Sequence, residues 1–478
     1  MKLIRFIVSL IWFKMPFRIV YMLQQVEYDP LQFIAWLIRM PDLRTVMKRK
    51  KLIQTRKAKQ LVYVTYFLWF ITLVLGLLLI VRFFIEYMVA AVIVLALLSP
   101  LVTLTLVLLI IIVARIVFVS PREDFMIRQS EERFINHPGI KIAIAGSYGK
   151  TTLKEILSTV LSEKFNVAKT EGNMNTPIAH ARFVAQLDSC EDVLLLEYGE
   201  SKPGDIERFC RTTHPDYAIL TGLAPNHLDS YKTIDLLAED LLSLRKFVEH
   251  NKLFLPAESS LLQPFLNEQD NLFSAQAVDG WKISDINISN SGSTFIMTKR
   301  NNVIRAATKL LGRHQIAPLA MAASIASKLG MSNRQIEVGI RKVAPFEHRM
   351  QPLSFGGAQI IDDTYNGNLE GSLAGISLLG ELKAKRKIYV TPGLVEQGGE
   401  KVAVHEKIAS ALVDTGPDVV VLMRNSSTMI IEKQLSKLKF RGQVKIETDP
   451  LQFYENLEHF VANGDVVMMQ NDWTDNYN

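Results

Sequence analysis

Two long stretches of the chain carry no charge, residues 61–81 and residues 87–114, the second interrupted by Pro100. About 20 apolar residues at 1.5 Å rise cross the ~30 Å hydrocarbon core of a bilayer, so each stretch is predicted to be a membrane-spanning helix. Arg82 and Glu86 are nearly all the polarity between them, which predicts a short turn and a helical hairpin over 61–120. Beyond Pro121 the pattern changes to short apolar runs alternating with segments of helical period. That alternation predicts mostly parallel sheets covered by helices.

Predicted strands are 141–145, 193–197 and 217–221, with helices over 151–163 and 234–249. A β-rich polar stretch follows over 272–308, then an Ala-rich helix over 317–329. A second alternating series has predicted strands at 359–362, 387–391, 418–423, 444–448 and 465–470. The soluble part therefore reads as two α/β domains, 121–343 and 344–478. The first has a phosphate-binding-loop arrangement and the second a Rossmann-like one. The segment 1–60 reads as a basic lead-in. Its first 20 residues are apolar but carry Lys2, Arg5, Lys14 and Arg18, which suits an interfacial amphipathic segment beside anionic lipid. A helix packed on the rest of the chain is the other reading.

Composition changes this picture in one respect. A net charge of +6 over 478 residues would ordinarily raise nucleic-acid binding. Residues 1–60, however, hold 13 Lys/Arg against 3 Asp/Glu, while residues 121–478 hold 39 against 44. The body is mildly acidic, and the excess of cations sits beside the hairpin. The positive-inside rule then places the N-terminus and everything after Arg115 in the cytoplasm. The expectation is a protein of the cytoplasmic (inner) membrane whose partner is the lipid bilayer and not nucleic acid. Two cysteines, Cys190 and Cys210, exclude a disulfide framework and a four-cysteine zinc site.

The first chemical motif follows the 141–145 strand directly: Gly146, Ser147, Tyr148, Gly149, Lys150, Thr151, Thr152. Glycines let backbone N–H groups curl around phosphate oxygens, and a helix N-terminus adds its positive dipole end. Lys150 would reach the outer phosphates and Thr151 would hold Mg2+. The general form of such loops has a glycine where this chain has Ile144.

Further motifs follow in order: 170–175 (TEGNMN), 196–199 (LEYG), 224–229 (APNHLD), 312–314 (GRH), 362–368 (DDTYNGN), and Glu396 with Gly398 ahead of His405. Together with the loop they resemble the Mur ligases over residues 140–472, nearest to the branch that adds D-alanyl-D-alanine. The resemblance implies an ATP-dependent enzyme of peptidoglycan precursor synthesis that joins a carboxylate to an amine through an acyl phosphate. It implies Lys150, Glu197 and His227 as catalytic residues, with Thr151, Glu197 and His227 holding magnesium. The ATP-binding set would be Gly146, Ser147, Gly149, Lys150, Thr151, Thr152, His314, Arg349, Asp363 and Asn366. Asn173, Asn175, Thr176 and Tyr365 would touch the peptidoglycan precursor or the amino-acid or dipeptide substrate.

Several positions depart from that pattern. Many Mur ligases carry a carbamylated lysine about fourteen residues after the magnesium histidine, and Leu241 stands there, beside Asp240. Either Asp240 supplies the carboxylate or a second metal is held differently. The adenine-contacting asparagine of the family falls at Pro318, and residues 470–473 (QNDW) replace a K-G-S-R motif. The hairpin stands where the family has its UDP-sugar domain, which suggests a lipid-linked acceptor. Two alternatives are an amide ligase for another substrate, such as a polyglutamate or amino-acid polymer, and a non-catalytic membrane-bound nucleotide sensor or scaffold.

Overall fold

The computed structural model describes residues 14–26, 28–39, 52–83, 85–172, 174–225, 228–365, 367–395 and 397–471. The chain divides into two compact units, one up to Phe125 and one from Met126 onward.

In the first unit, helix Arg56–Phe83 packs against helix Met88–Ala114, whose helical run continues to Asn136. Both are long and apolar enough to cross a membrane. Phe67, Phe70, Leu75, Leu79, Val89, Ile93 and Leu109 all lie exposed on their surfaces. Pro100 sits inside the second run, and residues Arg115–Val119 form a π-helical stretch before the polar continuation Ser120–Asn136. Polar atoms within the hairpin are satisfied locally: Trp69 Nε1 donates to Ser99 Oγ at 3.2 Å, and Thr103 donates to the Ser99 carbonyl at 2.8 Å. Helix Met15–Gln25 buries Met15, Ile19 and Leu23 with Phe33, Leu104, Val107 and Ile111. This is the packed-helix alternative over residues 15–25; residues 1–13 lie outside the described ones. Arg115 pairs with Asp29 at 3.2 Å.

The second unit holds two sheets. The first contains β1 (Ile140–Ala145), β2 (Val167–Lys169), β3 (Val193–Glu197), β4 (Tyr217–Leu220), β5 (Leu253–Pro256), β6 (Asn271–Phe273), β7 (Ala277–Val278), β8 (Trp281–Ser289), β9 (Gly292–Lys299) and β10 (Asn302–Thr308). Their order is β10-β9-β8-β7-β6-β5-β4-β1-β3-β2. The pairs from β2 to β6 are parallel and those from β6 to β10 antiparallel. Alternation along β1 sends Ile142 and Ile144 to one core, with helices Lys150–Leu161 and Ile316–Lys328. Ala143 and Ala145 go to the other, with Leu194, Leu196 and Tyr198. The helix predicted over 234–249 ends as an α-helix at Leu242 and tightens into a 3₁₀ turn at Ser243–Lys246. Arg245 is drawn there to Asp270 (2.5 Å) and to the Phe265 carbonyl (2.9 Å).

The second sheet contains β11 (Gln351–Phe355), β12 (Ala358–Asp363), β13 (Arg386–Thr391), β14 (Val419–Met423), β15 (Gln443–Glu447) and β16 (Asp465–Gln470), in the order β11-β12-β16-β13-β14-β15. Only β11–β12 is antiparallel, and its two-residue turn uses Gly356 and Gly357 at φ 58° and 79°, the conformation that suits a tight hairpin. In the first sheet the chain leaves β1 toward β2 on one side and later extends from β4 on the other. The crevice beyond the C-terminal ends of β1 and β4 is therefore the place where such a topology binds ligands.

Candidate nucleotide-binding and catalytic site

That crevice contains the 146–152 loop. Gly146 adopts φ 131°, and a Cβ there would sit 2.3 Å from Thr221 Oγ1. Thr221 follows β4 and donates to the carbonyls of Ala145 (3.1 Å) and Tyr148. Ser147 N donates to the Gly222 carbonyl at 2.9 Å. Gly149, at φ 73°, caps helix Lys150–Leu161 without any side-chain cap bond. The leading N–H groups of that helix, from Lys150, Thr151 and Thr152, thus meet no capping side chain, an arrangement suited to an anion.

Glu197 ends β3 and is held at every polar group. Its N–H donates to Thr170 Oγ1 at 3.2 Å, and its carbonyl meets His180 Nε2 at 2.9 Å. One carboxylate oxygen accepts from Thr151 Oγ1 at 3.1 Å; the other accepts from Lys154 Nζ at 3.0 Å. Lys154 is fully buried and also donates to the Gly172 carbonyl at 2.9 Å. Burial lowers His180 to about 4, so its ring is neutral at pH 7 and donates to Glu197 through Nε2. Tyr198 and Phe209 stack behind it with centroids 4.7 Å apart.

Lys150 Nζ donates to Glu200 Oε2 at 2.7 Å and to the Gly146 carbonyl. The loop that carries Glu200 is tied down in turn. Asp205 Oδ2 accepts from Ser201 N and Lys202 N at 3.1 and 3.0 Å. Asp240 accepts from Gly204 N at 3.0 Å with one oxygen and from Tyr231 Oη at 2.7 Å with the other. Burial raises Asp240 above the usual carboxylate range. Asp240 therefore braces the 200–205 loop, and Leu241 is fully buried core.

The other sequence-predicted residues divide into three groups. Asn175 gives its carbonyl to Gly199 N at 3.0 Å, and Thr176 Oγ1 caps helix Pro177–Val184 by accepting from Ala179 N at 3.3 Å. Thr176 thus has a local structural task beside any substrate contact. His314 follows Gly312, touches Gln315 Nε2 at 3.0 Å, and is lowered to about 4 by desolvation. In the C-terminal domain, Arg349 lies over the Tyr365 ring at 4.4 Å. Asp363 accepts from Gln470 Nε2 at 2.7 Å and from Met350 N at 3.2 Å, and burial pushes it up to about 7. Gln470, read from sequence only as the loss of a basic motif, is thus the residue that holds Asp363. Asn173, His227 and Asn366 lie outside the described residues.

The two parts of this site meet around the phosphate loop. Tyr148 hydrogen-bonds Ser259, and burial raises its phenol, with a smaller contribution from Glu370 of the C-terminal domain. A Cβ at Gly312 would come within 3.6 Å of Leu378 in helix Leu369–Glu381.

Among the described residues, no three His, Cys, Asp or Glu side chains converge as a metal cage. The donors present still fit a nucleotide-bound Mg2+. The Thr151 hydroxyl and Glu197 carboxylate are hard oxygen ligands 3.1 Å apart, and Mg2+ commonly takes only one or two protein oxygens, with phosphates and water completing its shell. Sequence reading missed Lys154 and Glu200. A lysine on the apolar face formed by Leu153, Ile156 and Leu157 was the available signal for the first.

Comparison with known proteins agrees with this geometry. Residues 144–326 match the Mur ligase middle domain. Three curated relatives carry the name UDP-N-acetylmuramoyl-tripeptide--D-alanyl-D-alanine ligase. That of Buchnera aphidicola is 27% identical, covering 68% of this chain and 70% of the relative. That of Escherichia coli is 25% identical, covering 61% and 66%. That of Bacillus subtilis is 22% identical, covering 72% and 76%. Among solved structures, the MurF ligase of Thermotoga maritima in complex with ADP aligns at TM-score 0.63 with 23% identity over 73% of this chain and 80% of that one. MurF of Acinetobacter baumannii aligns at 0.63 with 18% identity over 73% and 77%. At these identities the structures establish a shared fold.

Proposed function

We propose that the chain, whose residues 144–326 match the Mur ligase middle domain and whose curated relatives are named D-alanyl-D-alanine ligases, is an ATP-dependent ligase of peptidoglycan precursor synthesis. In this reading a carboxylate is activated as its acyl phosphate and captured by an amine, with D-alanyl-D-alanine the amine by analogy with the named relatives. The observation that carries the proposal is the pairing of the phosphate loop with Glu197: Lys150 and Thr151 on one side, the β3 carboxylate at 3.1 Å from Thr151 on the other. Magnesium bound by Thr151 and Glu197 would neutralise charge on the transferring phosphoryl group. His227 stays a proposed further ligand.

The chain's own residues do the positioning. Helix Lys150–Leu161 presents its first N–H groups to the phosphates, and Lys150 supplies charge as the bond between the transferring phosphoryl group and the departing ADP lengthens. Lys154 and Thr151 fix the Glu197 carboxylate so that it does not reorient during the reaction. Arg349, Tyr365, Asp363 and Asn366 are proposed to meet the nucleotide from the C-terminal domain, where closure excludes water from the acyl phosphate. His314, with Ser147, is proposed to complete the nucleotide-binding set; Asn173, Asn175 and Thr176 are proposed on the acceptor side.

We further propose that the hairpin anchors the enzyme in the cytoplasmic membrane with its α/β domains on the cytoplasmic side, and that the acceptor is lipid-linked. The charge-free helices and the thirteen basic residues in 1–60 support this reading. The test is mass spectrometry of products from the full chain in nanodiscs, given ATP, Mg2+, D-alanyl-D-alanine, and either the soluble UDP-linked tripeptide or its lipid-linked counterpart. The expected result is ADP, phosphate and a pentapeptide on the lipid-linked acceptor, abolished in Lys150→Ala. Equal turnover of the soluble precursor overturns the lipid-linked acceptor, and no Lys150-dependent product from either overturns the ligase.

A further inference from the structure

Two helices accompany the hairpin, Met15–Gln25 and Pro30–Arg39, each about 15 Å long and so too short to cross a bilayer. The second carries only two polar side chains, Gln32 and Arg39. One of its faces buries Phe33 with Leu104, Val107 and Ile111 of the hairpin. The opposite face leaves Leu31 and Ile38 at 76% and 81% exposure, with Ala35 exposed between them. Residues 31, 35 and 38 form one stripe of a helix. A helix apolar all round suits hydrocarbon or a protein core and not water.

The packing of Met15–Gln25 sets the depth. Its C-terminal end lies beside the polar foot of the hairpin, where Gln24 donates to the Ile53 carbonyl at 3.0 Å and accepts from Ile53 N at 3.1 Å. Nearer its N-terminus, Val20 packs with Ala58 and Val62, and the Phe17 ring meets that of Tyr66 at 6.1 Å. The helix therefore runs antiparallel to Arg56–Phe83, N-terminal end deepest. From Arg56 to Tyr66 is about 15 Å along the axis. The other hairpin helix gives nearly the same figure. Asp29 pairs with Arg115 at its foot, and Met15, Ile19 and Leu23 are buried with Leu104, about 16 Å further in. Tyr66 is about 8 Å past Leu61, the start of the charge-free span, a depth at which amphipathic helices lie in a leaflet. The long stems of Lys14 and Arg18 return their charges toward the headgroups.

We propose that these two helices are an embedded pair in the cytoplasmic leaflet, and that the stripe Leu31, Ala35 and Ile38 docks on the acyl chains of that leaflet. This inference rests on the hairpin spanning the membrane. Lipid is the occupant because Phe33 packs on a helix whose Leu109 and Ile110 are themselves exposed apolar surface. The exposed cations Arg56, Lys57 and Lys59 stand at the foot, the level of anionic headgroups. The turn between the two helices is pinned at that same level. Tyr28 is held at φ 61°, uncommon for an aromatic residue, with Lys57 Nζ 3.6 Å from its ring centre. One Asp29 oxygen caps the second helix, accepting from Leu31 N at 2.9 Å and Gln32 N at 3.0 Å, while the other pairs with Arg115 at 3.2 Å. Both hairpin helices are thereby tied to one turn, from which Pro30–Arg39 starts at a fixed point.

The experiment is electron paramagnetic resonance on the full-length chain in nanodiscs of phosphatidylcholine and phosphatidylglycerol, with single nitroxides at Leu31→Cys or Ile38→Cys. Cys190→Ser removes the exposed native thiol, and Cys210 is buried. Ile93→Cys on the hairpin is the lipid reference and Met429→Cys on the C-terminal domain the water reference, both positions being exposed. Collision rates are measured with oxygen, which concentrates in hydrocarbon, and with a water-soluble nickel chelate. The oxygen-to-nickel ratio at 31 and 38 is expected to match that at Ile93 and to exceed that at Met429 roughly fivefold or more. Ala35→Cys repeats the measurement should either larger side chain prove necessary for folding. Nickel access equal to that at Met429 overturns the proposal by placing the stripe in water. Shielding from both reagents overturns it by placing protein on the stripe. In either case a lipid-like Ile93 leaves the spanning hairpin intact, whereas a water-like Ile93 overturns the hairpin reading as well.

Discussion

On the central-domain side of the candidate site, Lys150, Lys154, Glu197 and Glu200 have side-chain exposures of 12%, 0%, 3% and 2%, and each cation has a carboxylate within 3.0 Å. On the C-terminal side, Tyr365 is 40% exposed, and the His348 side chain that pairs with Asp362 at 2.7 Å is 50% exposed. Arg349 rests on the Tyr365 ring, a contact that water and other partners can replace. The first side is built of buried ion pairs; the second sets exposed contacts over the buried Asp363–Gln470 pair. Substitutions should therefore be costly on the first side and graded on the second.

The largest expected effect is on catalysis. Lys150→Ala should lower ATP-dependent product formation by roughly 100–1,000-fold, the usual cost of removing a charge-stabilising donor, as read in the nanodisc assay. Next comes stability: Lys154→Ala leaves Glu197 buried without its counter-ion and should cost about 3–5 kcal/mol, whereas Lys154→Met combined with Glu197→Leu, which removes both charges, should melt nearer the wild type. Equal melting of both variants would break the contrast from the central side. Arg349→Lys keeps the charge but loses the flat stack on Tyr365, worth about 0.5–1 kcal/mol at exposed sites, so KM for ATP should rise roughly 2–5-fold. A 100-fold rise would place Arg349 with the preset groups instead.

The remaining effect is a pH slope. Burial holds Asp363 at about 7 against an ordinary value of 3.8, so between those values the folded chain keeps a proton that the unfolded chain releases. Its contribution to stability is present below about pH 4, declines as pH rises to about 7, and is flat above that. The melting temperature of the wild type relative to Asp363→Asn should follow this course. A difference independent of pH from 4 to 8 would show that Asp363 is solvated like the neighbouring Tyr365 and His348.

These contrasts also mark what could be read without coordinates. The loop from Gly146 to Thr152 and the strand ends at Glu197 and Gln470 follow from local patterns, because an apolar run that stops at a glycine or a charge leaves few alternatives. The brace formed by Asp240, Tyr231 and Gly204 was not readable. It joins residues 36 apart in the chain, and an aspartate inside an apolar helix segment carries no sign of its partner. Glu200 was missed for a related reason: its meaning depends on Lys150, 50 residues away. The replacement of the late basic motif by Gln470 and Asn471 looked like a loss, yet Gln470 reaches Asp363 and Asn471 reaches Thr391 at 3.2 Å. Long-range pairing converted an apparent gap into a filled position.

The clasp between the phosphate loop and the end of β4 has an evolutionary consequence. A Cβ at Gly146 would collide with Thr221, and one at Gly222 would fall 2.2 Å from the Tyr148 ring. The four positions therefore constrain one another as a block. A smaller residue at 148 would remove the clash but not free position 222, because Gly222 holds φ 159°, and position 146 is closed by both its φ of 131° and the β4 backbone. Among divergent copies, residue 148 should vary while 146 and 222 both stay glycine.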